Sequence, residues 1–97
     1  MEQSIRRPKV QIIAEILDFC KKPRYKTNVM EEINLSWGLL QKYLSYLESL
    51  GFLKIQQNSR KLVTTQEGLE FVRRWKDMMD LILPTSGIKK ERLGTFS

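Results

Sequence analysis

The sequence predicts a mainly α-helical fold carrying one small β-hairpin, an α+β class. Apolar residues recur at helical spacing over 8–20, 37–50 and 66–83, with a shorter helical segment near 28–33. Two short apolar or β-branched runs, Leu53-Lys54-Ile55 and Lys61-Leu62-Val63-Thr64, flank the polar linker Gln56-Gln57-Asn58-Ser59-Arg60, as in a hairpin. The chain has 97 residues with 41% hydrophobic and 29% charged side chains, enough for one modest core and too few for a large catalytic cleft.

Residues 1–7 read as a mobile arm, basic through Arg6-Arg7 and extended by Lys9. Pro8 suits the first turn of a helix running to about Cys20. There Val10, Ile12, Ile13, Ile16, Leu17, Phe19 and Cys20 form a core face, and Gln11, Ala14, Glu15 and Asp18 face outward. Pro23 breaks the pattern in a loop that holds Lys21, Lys22, Arg24 and Lys26, and Tyr25 is placed to enter a short strand beside the hairpin. Thr27 is read as the cap of a short second helix, 28–33, and Asn34 as the left-handed residue that closes it. Ser36 then caps the third helix by accepting an orphan N–H of its first turn, and Gly51 ends it without a Cβ penalty. Two helices so briefly connected, followed by a hairpin, make a winged helix-turn-helix. Thr65 caps the last helix, which Pro84 terminates. Gly68 costs about 1 kcal/mol relative to alanine in a helix, so it marks close packing on the sheet.

In the third helix Leu40, Leu44, Leu47 and Leu50 form the buried stripe, bordered by Trp37 and Tyr43. The opposite side carries Gly38, Gln41, Lys42, Ser45 and Ser49, and Glu48 at its border is the one nearby acid. Small side chains admit close approach to a groove, and Gln and Lys can bond to base edges or phosphates. The net charge is +6. Residues 1–62 hold 11 basic and 6 acidic side chains, whereas 63–83 hold 3 and 4, so the excess lies on the proposed reading domain. Candidate DNA contacts are therefore Ser36, Gln41, Lys42 and Ser45 on the helix, with Arg24, Lys26, Arg60 and Lys61 for phosphate.

Phe71, Trp75, Met78 and Ile82 recur at steps of four, three and four, a short coiled-coil-like seam that Met79 widens. From Trp75 to Leu83 the helix extends roughly 12 Å, and a second copy is the simplest cover for that surface. The expected division is a 1–7 arm, an 8–64 winged domain, a 65–83 dimerisation helix and an 84–97 basic tail.

There is no histidine and one cysteine, which removes imidazole catalysis, internal disulfides and thiolate clusters. No phosphate loop, dinucleotide fingerprint or carboxylate pair emerges. We expect no enzyme, cofactor, metal, membrane segment or small-molecule ligand, and a cytoplasmic protein with Cys20 reduced and buried.

Tyr25-Lys26-Thr27-Asn28-Val29-Met30, Asn34-Leu35-Ser36, Tyr43-Leu44-Ser45-Tyr46-Leu47, Leu50-Gly51-Phe52-Leu53 and Thr65-Gln66-Glu67-Gly68-Leu69 resemble the archaeal winged-helix DNA-binding proteins. Over about residues 9–83 the chain is similar to the small, basic, dimeric group regarded as chromatin-associated proteins or regulators. That resemblance implies that the helix starting at Ser36 enters the major groove and that the 56–61 wing lies on the backbone. It also implies pairing through the C-terminal helix in an antiparallel coiled coil. The rival expectation is a protein-interaction adaptor of the same fold, docking its partner on the Trp75 stripe.

Overall fold

The computed structural model describes residues 7–82, which form four helices and a two-stranded antiparallel sheet. The first helix, α1 (Lys9–Phe19), is central because α2 (Lys26–Ile33), α4 (Gln66–Ile82) and the sheet all pack against it. Its Ile16 and Leu17, and Cys20 at its C-cap, are fully enclosed. Ala14 is enclosed too, against the expectation of an outward position, because a helix with neighbours on two sides keeps little outer surface. Val10 goes the other way and is 42% exposed, as it lies at the helix start beyond the core. Pro8 precedes the helix in an extended conformation as its N-cap rather than entering the first turn.

The connection from α1 to α2 differs in detail from the sequence reading. Arg24, not Tyr25, pairs with the sheet: it exchanges backbone hydrogen bonds with Leu62 at 2.9 and 2.7 Å. The chain therefore leaves the sheet extended, Tyr25 becomes the N-cap, and α2 begins at Lys26. Thr27 lies within the first turn and caps nothing. Asn34 closes α2 at φ 62°, in the left-handed region that its short polar side chain tolerates.

Helix α3 (Trp37–Ser49) forms as its sequence predicts. The Leu39 amide donates to Ser36 Oγ at 3.2 Å, and Leu40, Leu44 and Leu47 are buried, while Leu50 is 44% exposed at the C-cap. Gly51 has φ 78°, and its amide and that of Phe52 donate to the carbonyls of Glu48 and Leu47. The strands β1 (Leu53–Ile55) and β2 (Leu62–Thr64) pair with Leu53 opposite Thr64. Thr64 joins the sheet to α1: its amide donates to the Cys20 carbonyl at 2.9 Å and its hydroxyl to the Leu17 carbonyl at 2.6 Å.

Thr65 caps α4 as expected, accepting from the Gly68 amide at 3.2 Å and donating its hydroxyl to the Gly51 carbonyl. Gly68 is buried where a Cβ would lie 2.3 Å from the Phe52 carbonyl oxygen, which is the close packing its position implied. Val72 completes the core, and Lys76 reaches Asp18 of α1 at 3.1 Å. Burial works against ionisation of Asp18, but hydrogen bonds from Lys21 and Lys76 outweigh it and hold the carboxyl below its usual range.

Arg7, read as the end of a mobile arm, is held in place. Its guanidinium pairs with the Glu15 carboxylate and donates to the Ile33 carbonyl at 2.6 Å, tying the chain start to the end of α2. Residues 1–6, the rest of that arm, and 83–97, including the expected basic tail, lie outside the described residues.

Candidate nucleic-acid interface

α3 presents one broad exposed face. Its centre and one flank hold Gly38, Lys42, Ser45 and Ser49, all exposed, with Gln41 half-buried beside them. Ser36 is exposed at the helix start, with its hydroxyl committed to the cap. Nothing lies within 4 Å of a Cβ built on Gly38, so this part of the surface is open.

The wing is a stiff turn. The Gln56 amide donates to the Lys61 carbonyl at 2.8 Å and the Arg60 amide to the Gln56 carbonyl at 2.9 Å. Ser59 Oγ donates to Gln56 Oε1 at 2.8 Å and accepts from the Lys61 amide at 3.2 Å. Arg60 sits at φ 64°, a left-handed conformation that costs a residue with a Cβ about 1–2 kcal/mol. Its side chain is exposed at the tip.

The 24–26 loop lies against the base of the hairpin through the Arg24–Leu62 bridge. Arg24 is partly committed to the fold: its Nε donates to the Phe19 carbonyl at 2.9 Å and its guanidinium stacks 4.1 Å from the Phe19 ring centroid. Lys61 Nζ lies 4.9 Å from the centroid of the Tyr25 ring, which is half exposed. Lys26 is half-buried at the start of α2. Tyr25 thus joins the basic loop to the wing, a role invisible until residues 36 apart in sequence are brought together.

Ion pairing distinguishes α4 from the surface around α3 and the wing. On α4, Arg73 and Arg74 both pair with Glu70 at 2.6 Å, Arg73 also approaches Asp77, and Lys76 is paired with Asp18. Among the described residues, no ion pair engages Lys26, Lys42, Lys54, Arg60 or Lys61. The cations of α4 are locally neutralised, and those beside α3 and the wing are not.

Two apolar features complete the surface. Leu39 and Tyr46 of α3 are 42% and 52% exposed, against a sequence reading that placed small and hydrogen-bonding residues with one Lys outward. With Lys42 and Tyr43 they line a trough shared with Lys9, Val10 and Ile13 of α1, about 570 Å³ in volume. On α4, Met78 and Ile82 of the expected seam are exposed, Trp75 and Met79 are half-buried, and Phe71 turns inward onto Phe52 with ring centroids 5.5 Å apart. Leu81, outside the expected seam, is 79% exposed.

Among the described residues, no helix is long and apolar enough to cross a membrane, and no group of three or more His, Cys, Asp or Glu could hold a metal ion.

Comparison with known proteins agrees with this geometry. An uncharacterised protein of the archaeon Methanocaldococcus jannaschii is 36% identical over 64 residues, which cover 65% of this chain and 64% of that protein. The match therefore spans just under two thirds of the relative's length. The fold is similar to that of Sso10a-2 from Sulfolobus solfataricus, described as a DNA-binding protein: the TM-score is 0.71 at 19% identity, covering 94% of this chain and 98% of the other. The family model for the winged helix-turn-helix matches residues 6–83, and the chain belongs to that family.

Proposed function

We propose that the protein binds double-stranded DNA without chemistry of its own, in the cytoplasm, as a homodimeric transcription regulator or architectural chromatin protein. The observation that carries this reading is the contrast between the neutralised cations of α4 and the unpaired ones around α3 and the wing. A polyanion gains most from charges not already satisfied, because binding them releases its condensed counterions. The likeness to an archaeal DNA-binding protein supports the same reading.

In this arrangement α3 enters the major groove, with Gln41, Lys42 and Ser45 at base edges or phosphates. Arg60 and Lys61 grip the backbone from the wing, and Lys26 and Arg24 extend the phosphate contacts from the loop. Phosphate contacts fix register and carry affinity without sequence information. Residues 8–64 supply the reading surface, and Trp75, Met78 and Ile82 pair with a second copy, Phe71 and Met79 supporting them from within. Exposure of Met78, Leu81 and Ile82 supports a covering partner, since large apolar patches on a lone chain are unfavourable.

A gel-shift series against salt tests the reading. Affinity for a duplex should fall steeply as salt rises, by a log–log slope of about −0.9 per phosphate contacted. Lys42→Glu with Arg60→Glu should abolish binding and leave the folded signal intact. Negligible duplex affinity at low salt would instead favour a protein-interaction adaptor using the exposed α4 stripe.

A further inference from the structure

α3 carries two strips side by side, and the DNA-binding reading uses only one. Leu40, Leu44 and Leu47 point into the core, so at about 100° per residue the line opposite them runs through Gly38, Lys42 and Ser49. Gln41 and Ser45 lie on one side of that line. Leu39 and Tyr46 lie on the other, within about 70° of it, and both are about half exposed. Leu39, Lys42 and Tyr46 are spaced by three and four residues and so form one ridge. Lys42 belongs to both strips. A duplex seated on Lys42 must therefore meet Leu39 and Tyr46 as well.

The major groove offers one apolar group on its base edges, the 5-methyl of thymine, and the adenine opposite offers a donor and acceptor suited to an amide side chain. The polar and apolar strips of α3 match those two edges of an A·T pair. We infer that α3 selects A·T-rich steps, with Leu39 and Tyr46 packed on thymine methyl groups and Gln41 bonded to adenine. The inference rests on the DNA-binding reading and adds base preference to it. Gly38, Ser45 and Ser49, the smallest residues on this face, let the helix approach closely enough for short apolar contacts to form.

The probes are the alternating duplexes poly(dA-dT) and poly(dA-dU), which differ only in that methyl group, with a mixed-sequence duplex alongside. The wild-type protein should bind the thymine duplex more tightly, by roughly fourfold for each methyl group buried. Leu39→Ser, at an exposed position, should remain folded by circular dichroism and keep the salt slope that reports phosphate contacts. It should bind the two duplexes nearly alike, and Tyr46→Ser should narrow the gap. Equal binding of both duplexes by the wild type would overturn the inference while sparing DNA binding, and would return the apolar strip to a protein partner. A thymine preference undiminished in both variants would also overturn it. Failure to bind any duplex at low salt would sink the DNA-binding reading and this inference with it.

Discussion

Replacing Gly68 with alanine tests the contact that sets where α4 leaves the sheet. The new Cβ would stand 2.3 Å from the Phe52 carbonyl oxygen and 2.6 Å from Thr64 Cγ2, whereas ordinary contact begins at 3.4 Å. Something must therefore retreat by about 1 Å, and neither obstacle is free to do so. The Phe52 carbonyl accepts from the Thr65 amide at 2.9 Å, and Thr64 is bonded to α1 through both its amide and its hydroxyl. The helix itself must tilt away, which loosens Val72 and the Phe52–Phe71 contact. Overpacking of this kind costs about 1–3 kcal/mol, and a backbone obstacle places it at the upper end. The better helix propensity of alanine returns about 1 kcal/mol, leaving a net loss of about 2 kcal/mol. For a domain of this size that lowers Tm by roughly 10 °C. Urea and thermal unfolding followed by far-UV circular dichroism measure the change. Gly38→Ala is the matched control, because nothing lies within 4 Å of its Cβ and the same propensity gain should appear as stabilisation. A Gly68→Ala protein stabilised as much as Gly38→Ala would refute the argument, since the two substitutions would then not separate.

Arg60→Gly should act in opposite directions on two measurements. Relief of the left-handed conformation should raise stability by about 1 kcal/mol in urea, while loss of the guanidinium should weaken duplex binding and reduce the salt slope by about one. Burial pushes the Cys20 thiol up to about 12 from its ordinary 9.0, with the Arg24 charge pulling it back slightly. The unfolded chain then releases this proton before the folded one does. The thiol's contribution is intact below about pH 9 and is lost towards pH 12, at about 1.4 kcal/mol per pH unit. Urea midpoints of Cys20→Ala should fall less steeply over that range, and parallel slopes would count against the assignment. Trp75→Glu should sediment as a folded monomer, and a wild-type protein already monomeric at tens of micromolar would remove the seam.

The parts of the fold fixed by chemistry within a few residues were readable without coordinates. Ser36, Asn34, Gly51 and Thr65 each do their work within their own turn, so capping and left-handed preferences suffice to place them. Gly68 announced its neighbour because glycine in a helix needs a reason. What escaped depends on contacts distant in sequence. Ala14 is enclosed because other elements close over α1, and Arg24 resembles a surface cation until Phe19 and Leu62 claim it. At the interface, periodicity located the Leu40 stripe but not its width, so Leu39 and Tyr46 stayed hidden beside it. Which cations remain unneutralised depends in the same way on pairs such as Asp18–Lys76 that no local pattern contains.

The stitch between Thr64 and the end of α1 has a consequence for whatever the protein grips. With the hairpin anchored at its root and its tip braced by Gln56 and Ser59, helix and wing cannot swing independently. A rigid jaw hands the work of adjustment to its quarry. In the proposed complex with DNA, sequences that yield cheaply under bending or groove widening should then be held more firmly than stiff ones, even at positions no side chain reaches.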